Sequence, residues 1–165
     1  MPIRPVLQLP ERVLKRRAEE LGGTSDEQLI SDLVDTMRAS PACVGLAAPQ
    51  IGVSRRVICV DVSSHPKAKV NHGMVVLTDP VIVDSEGKEV GREGCMSVPD
   101  LTANVARALR VVVQGIEPDG TLRVLETEGF EARAFQHEVD HLDGLLILDR
   151  VASLATDVFR RKVYR

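Results

Sequence analysis

Aromatic side chains are scarce in this sequence of 165 residues, which contains no Trp, one Tyr and three Phe. The 44% of residues that are hydrophobic must therefore build a core mainly from Val, Leu, Ile and Ala. With 27% charged residues, the chain has the composition of a globular protein rather than a disordered one. We expect a single catalytic domain over residues 1–165.

Long apolar runs are also missing. No stretch approaches the roughly 20 residues that span a bilayer, and the N-terminus lacks the short apolar core of a signal peptide. The net charge of −3 comes without a basic stripe, which argues against nucleic acid as a partner. Three cysteines are an odd number, so a complete disulfide framework is excluded and reduced thiols are expected. These absences predict a cytoplasmic protein without a membrane or nucleic-acid site.

The segment from Gln136 to Gly144 predicts a metal-binding helix. At about 100° per residue, His137 and His141 lie one turn apart on the same face, with Glu138 beside them. Two imidazoles leave a divalent ion room for a third ligand and a water, and an adjacent carboxylate can accept that water's proton. The alternative is a helix that carries two histidines by accident.

The same helix has an apolar stripe at Phe135, Val139 and Leu142, which are spaced i, i+4, i+7. Gly144 follows as a left-handed stop signal. If the stripe packs into a core, the histidines lie at the edge of that core in a partly dry pocket.

Elsewhere the pattern predicts an α+β fold, with antiparallel β-sheets around this central metal-binding helix and a C-terminal helix. A helix follows the N-cap signal at Ser25, and strands are expected at residues 56–62, 74–84, 88–92, 105–117 and 121–128. The second and third of these strands should form a hairpin. The last helix is placed at about Val151 to Tyr164, and its basic end is typical of a solvated last turn: Arg160, Arg161, Lys162 and Arg165.

The third ligand must come from upstream, because no Glu or His follows His141. His65 and His72 lie in a polar segment that is typical of a surface loop. Cys95, in a glycine-flanked turn at a strand end, is the best candidate, since a thiolate with two imidazoles suits Zn²⁺ or Fe²⁺. The alternative is that Cys95 is a structural thiol.

A run of small residues from Val44 to Gly52 contains a single amide side chain, Gln50. Small residues allow a ligand or another backbone to approach closely, and Gln50 could direct a donor into that space. The alternative is a tight connector with a solvated Gln50.

Three segments together, 45–50, 93–97 and 136–144, resemble the signature motifs of the peptide deformylase family, in the family's order and at similar spacing. The resemblance extends over nearly the whole chain. Deformylases are metallohydrolases that remove the N-formyl group from newly synthesised polypeptides beginning with formyl-methionine, and they release formate. The resemblance therefore implies nascent formyl-methionyl peptides as partners, and proximity to the ribosome.

The resemblance also implies roles at single positions. The metal ligands would be Cys95, His137 and His141. Glu138 would be the general base and acid, and Gln50 with the backbone N–H of Met96 would face the oxyanion. The family pattern departs here at two positions, where Cys43 replaces a glycine and Met96 replaces a leucine.

Substrate-binding residues are expected at Val44, Gly45 and Ala134. Ala134 lies one helical turn before His137, so with Val44 it leaves room for an unbranched Met side chain. The alternative for Ala134 is a small core residue.

The cofactor is expected to be one divalent metal ion per chain. Ligand type alone favours zinc, whereas the resemblance implies Fe²⁺ in the cell, with Zn²⁺, Ni²⁺ or Co²⁺ in purified protein. Two other functions stay open, namely a metallopeptidase that cuts internal peptide bonds and a structural metal domain that binds peptide termini.

Overall fold

The structure, a computed structural model, describes residues 3–161. Within that range the helices are α1 (Glu27–Ala39) and α2 (Gly129–Leu142), and short 3₁₀ helices cover Arg12–Lys15, Ala48–Ile51 and Ile147–Asp149. The strands are β1 (Gly45–Ala47), β2 (Val57–Val60), β3 (Val75–Glu86), β4 (Glu89–Cys95), β5 (Val98–Arg107), β6 (Arg110–Ile116), β7 (Leu122–Glu128) and β8 (Val158–Arg160). None of the described helices is both long enough and apolar enough to cross a membrane.

The strands form two antiparallel sheets. The larger has the order β1-β2-β3-β6-β7, and the smaller has the order β4-β5-β8. A turn around Pro118 to Gly120 joins β6 and β7, whose register pairs Ile116 with Leu122.

The five-stranded sheet is covered on both faces where β2 runs through it. Val57 and Cys59 belong to the core cluster with α1, whereas Ile58 and Val60 belong to the cluster with α2. Successive strand residues point to opposite faces, so a strand buried on both sides must be apolar throughout, as β2 is.

The helix α2 lies between the two sheets. Its stripe of Phe135, Val139 and Leu142 is buried against the five-stranded sheet, as the periodicity predicts. Its other side faces β4 and β5, which it meets through polar contacts such as Arg107 with Asp140. The α+β class, with antiparallel sheets around a central helix, is confirmed.

The capping signals differ in detail from the prediction. Asp26, not Ser25, caps α1, and its carboxylate accepts a hydrogen bond of 3.0 Å from the Leu29 N–H. Gly144 has a φ of 77°, the left-handed conformation expected after α2.

The predicted hairpin between the second and third strands is wrong. β3 pairs with β2 and β6, whereas β4 pairs with β5 in the other sheet. Gly87, at a φ of 76°, does turn the chain. That turn carries the chain from one sheet to the other. A turn signal in the sequence indicates a change of direction but does not indicate which strand the next strand pairs with, which is why the hairpin prediction fails.

The C-terminal stretch also differs from its prediction. The described part of the range 151–164 contains turns followed by β8, which pairs with β5 through Leu101 and Arg160. Asp157 shapes the turn, since its carboxylate accepts a 3.0 Å hydrogen bond from the Ser153 N–H. Arg160 therefore lies in a strand and not in a helical turn, while Lys162 and Arg165 lie outside the described residues.

Candidate metal centre

Cys95, His137 and His141 come together from two elements. Cys95 ends β4 immediately before a two-residue turn, and the histidines lie one turn apart on α2. One ligand atom from each lies within 4.8 Å of the others, and the Cys95 Sγ is 3.3 Å from the His141 Nε2. Among the described residues, this is the group of three that could hold a metal ion.

The two upstream histidines are engaged elsewhere. His72 contacts the buried carboxylate of Glu131 through its ring Nδ1 and its backbone N–H. The His65 ring stacks on Phe130 with a centroid distance of 4.0 Å. Neither belongs to the ligand group, which agrees with the choice of Cys95 as the third ligand candidate.

The residues fit a divalent cation. Burial lowers the pKa of His141 well below its usual value, so its imidazole is neutral and keeps a lone pair. One thiol and two imidazoles form a donor set that zinc and ferrous iron accept. The Glu138 Oε1 is buried without a hydrogen-bond partner among the described residues, as expected for a carboxylate that faces a ligand site.

Glu93 orients His137 from behind. Its carboxylate lies 2.9 Å from the His137 Nδ1 and also accepts hydrogen bonds from Arg107 at 3.0 Å and Arg133 at 2.6 Å. Burial opposes ionisation of Glu93, but the hydrogen bonds from His137 and Arg107 outweigh it and hold its pKa well below the usual range. The ionised carboxylate thus accepts a hydrogen bond from the His137 Nδ1, and the His137 Nε2 is the ring atom that can bind a metal.

A second acid completes this buried network. Asp140, one turn after His137 on α2, accepts hydrogen bonds from both Arg107 and Arg150. Arg107 is buried and therefore needs two carboxylates close by to offset its lost hydration.

Glu138 lies directly behind Gly45. A Cβ atom at position 45 would come within 2.6 Å of the Glu138 Oε2, so only glycine leaves this carboxylate its place. Burial raises the pKa of Glu138 to about 7. A cation in the neighbouring site would lower that value, since a positive charge favours the carboxylate form.

Gln50 is held in one orientation. Its Oε1 accepts from the Ala47 N–H at 3.0 Å, which turns the Nε2 toward the Ser97 Oγ at 3.2 Å and the Cys95 Sγ at 3.8 Å. The Ser97 hydroxyl in turn donates to the Leu7 carbonyl at 2.6 Å. The amide thus presents donors to the metal site.

A cavity of about 390 Å³ opens above these groups. All the predicted site residues except His141 line it. His141 is buried next to the cavity, with its Nε2 3.3 Å from the Cys95 Sγ. Those lining residues are Val44, Gly45, Gln50, Cys95, Met96, Ala134, His137 and Glu138. Met96 is the first residue of the turn between β4 and β5.

Cys43, which stands where the family has glycine, also lines the cavity. Its thiol donates to the Gly45 carbonyl at 3.1 Å. Burial and the charge of Glu138 raise the pKa of Cys43 to about 11, so at neutral pH the cavity wall carries a thiol and not a thiolate.

Sequence reasoning missed the supporting roles of Glu93, Arg107 and Ser97. For Glu93 a signal existed, because it precedes Cys95 by two positions in one strand and therefore shares its face. Arg107 carried no comparable signal, since it reaches the site only through the pairing of β4 with β5.

The sequence is similar to those of known peptide deformylases along nearly its whole length. The family described as "Polypeptide deformylase" matches residues 3–157. A peptide deformylase from Desulforudis audaxviator is 45% identical over 166 residues, which cover 98% of this chain and 99% of that relative.

Solved structures give the same picture. A peptide deformylase from Legionella pneumophila has a TM-score of 0.82 and 38% identity, covering 93% of this chain and 88% of its own. A class I type b peptide deformylase from Acinetobacter baumannii, solved with Met-Ala-Ser bound, has a TM-score of 0.82 and 34% identity, covering 91% and 99%.

Proposed function

The chain belongs to the polypeptide deformylase family, and from that membership we propose how its own residues carry out the reaction. It is a metal-dependent hydrolase that removes the N-formyl group from the formyl-methionine of newly synthesised polypeptides and releases formate. We also propose that residues 1–165 act as one catalytic domain.

The observation that carries the proposal is the meeting of three ligand atoms within 4.8 Å, beside a buried carboxylate in the same cavity. Cys95, His137 and His141 would hold the metal. When bound, the ion supplies the Lewis acidity that makes a water nucleophilic near neutral pH.

Glu138 moves the protons. Its Oε1 has no hydrogen-bond partner among the described residues, and a bound cation would favour its carboxylate form, so it can accept a proton from the attacking water and later return it to the leaving amine nitrogen. The water oxygen bonds to the formyl carbon, and the C–N bond then breaks as the amine nitrogen takes the proton, so the products are formate and a peptide with an unblocked N-terminus.

The donors for the developing oxyanion are the Gln50 amide and the backbone N–H of Met96. Gln50 is preorganised, because Ala47 and Ser97 hold the amide before substrate arrives. Val44, Gly45 and Ala134 line the same cavity and provide small surfaces against which the formyl-methionyl side chain can pack.

An assay of formate release from a formyl-Met-Ala-Ser peptide tests the reaction. The unblocked peptide and a longer blocked peptide, both followed by mass, serve as controls. Formate release from the blocked peptides without internal cuts is the expected result. Internal cleavage would indicate a metallopeptidase, and metal binding without turnover would indicate a structural metal domain.

For the native metal we propose Fe²⁺, because the family resemblance implies it and the thiolate-imidazole donor set accepts it. Protein purified without oxygen should contain iron and lose activity in air as the iron and the Cys95 thiolate oxidise. Nickel or cobalt added to protein that was stripped of iron without oxygen should restore turnover and remove the oxygen sensitivity. Stable full activity with stoichiometric zinc would contradict the iron proposal and leave the ligand set standing.

The partners we propose are nascent formyl-methionyl chains, met in the cytoplasm close to the ribosome. Sedimentation with translating and empty ribosomes measures the association, and an equal distribution of the protein with and without ribosomes would contradict it.

A further inference from the structure

The outer rim of the cavity carries three basic side chains from three separate segments. Lys67 comes from the connection between β2 and β3, Arg92 from β4, and Arg161 from the residue after β8. Lys67 and Arg92 are exposed, Arg161 is half-buried, and all three line the cavity.

These cations have no carboxylate partner within ion-pair distance among the described residues. Arg92 lies 3.6 Å above the Phe159 ring and makes a long hydrogen bond of 3.4 Å to the amide oxygen of Asn104. The Arg161 guanidinium rests against Gly94, the neighbour of Cys95. Arg133 also lines the cavity but differs from these three, because its guanidinium forms an ion pair with the Glu93 carboxylate at 2.6 Å.

No exposed acidic side chain among the described residues that line the cavity neutralises the positive charges of the rim. The acids that line the cavity are Glu93 and Glu138, both buried below it. Glu93 is already committed to Arg107, Arg133 and His137, and Glu138 faces the metal site. Asp100 lines a neighbouring depression with Arg160 and Arg161 and does not line this cavity.

A substrate must pass this rim. The formyl group has to reach the buried ligands, so the peptide beyond the first residue leaves through the exposed entrance. An extended chain advances about 3.3–3.6 Å per residue, which brings the next two or three side chains past the rim.

We propose that the rim selects formyl-methionyl peptides with acidic side chains at the second to fourth positions, through Lys67, Arg92 and Arg161. The selection rests on the proposed function, since it concerns substrates of the same site. Basic side chains at those positions are disfavoured by the same charges. Because the rim is solvated, the effect is modest for each cation and depends on salt.

The test compares three peptides that differ only after formyl-methionine, with two Glu, two Gln or two Lys residues in front of the same tail. In low salt we expect kcat/KM to be about two- to fivefold higher for the Glu peptide than for the Gln peptide, and lower for the Lys peptide. At 1 M salt, where the Debye length is about 3 Å, the three values should converge.

Single variants assign the effect to the rim. K67Q, R92Q and R161Q should each reduce the Glu-to-Gln ratio of kcat/KM, and the triple variant should remove it, while turnover of the Gln peptide stays measurable. The matched controls are K69Q, which removes an exposed charge from the same connection, and R160Q, which removes the charge next to Arg161. Neither control residue lines the cavity, and both variants should keep the full ratio.

The outcomes separate the two proposals. No formate from any of the three peptides, with metal bound, would contradict the proposed function. Full activity with equal kcat/KM for all three peptides would overturn the rim selection alone. A Glu preference that survives in the triple variant, or that K69Q and R160Q reduce equally, would overturn the assignment to these three cations.

Discussion

The floor and the rim of the cavity are built in opposite ways. Glu93 at the floor, and Arg107 and Asp140 behind it, are buried, and each is held by charged hydrogen bonds to more than one partner. At the rim, Lys67 and Arg92 are exposed and have no ion pair among the described residues.

The difference separates two kinds of constraint. A buried charge that loses its partner is costly, so a change at the floor disturbs the metal site and the fold together. An exposed charge costs little to change, so the rim can be altered to suit different peptides while the chemistry below stays the same.

Glu138→Gln should have the largest effect on the floor. Turnover should fall by about 10²–10⁴, because the amide keeps the size of the side chain but cannot accept or return the proton. Metal content, measured by elemental analysis, and the melting temperature should stay close to those of the parent. Loss of metal from this variant, or near-native turnover at saturating substrate, would show that Glu138 has another role.

Gln50→Ala comes next. It should lower kcat and kcat/KM together by about 10²–10³, since an oxyanion donor acts chiefly in the transition state. Ser97→Ala is the matched control, because it removes one partner of the amide and keeps the amide itself, so its loss should be smaller. If Gln50→Ala changed KM alone, the residue would belong to substrate binding.

Glu93→Gln should weaken the floor without removing a ligand. Metal affinity should fall by about 10–100-fold, because the amide no longer offers two anionic oxygens to His137 and Arg107. The free energy of unfolding should fall by about 3 kcal/mol, measured by urea titration, since Arg107 loses a buried counter-charge. Glu89→Gln, at an exposed position of the same strand, is expected to change neither value.

Arg92→Gln should be the mildest change. Its guanidinium is exposed over the Phe159 ring, so the free energy of unfolding should fall by at most about 1 kcal/mol. A double-mutant cycle with Phe159→Leu measures the pair directly. If Arg92→Gln lowered the free energy of unfolding as much as Glu93→Gln, then charges at the rim would matter to stability as much as those at the floor, which would contradict the comparison.

The parts predicted from sequence are those that depend on local spacing. The i, i+4 histidines and the stripe of Phe135, Val139 and Leu142 follow from helical periodicity, which holds whatever the rest of the chain does. The sequence predicts Cys95 as the third ligand because the other candidates are poorer, and in the structure its Sγ lies 3.3 Å from the His141 Nε2.

The parts not predicted depend on which strands meet. β4 and β5 bring Glu93 and Arg107 together, and no local pattern states that pairing. β8 forms because β5 offers an edge for residues 158–160, so tertiary contact overrides the helical interpretation of that stretch. Arg161 reaches the rim for the same reason.

The placement of Cys95 would make a bound metal a link between two layers of the protein. Cys95 belongs to the three-stranded sheet, whereas His137 and His141 lie on a helix packed against the five-stranded sheet. An ion held by these three residues would join the layers, and its binding free energy would become part of the stability of the folded chain. Removing the metal should then lower the melting temperature of the whole molecule in addition to stopping turnover.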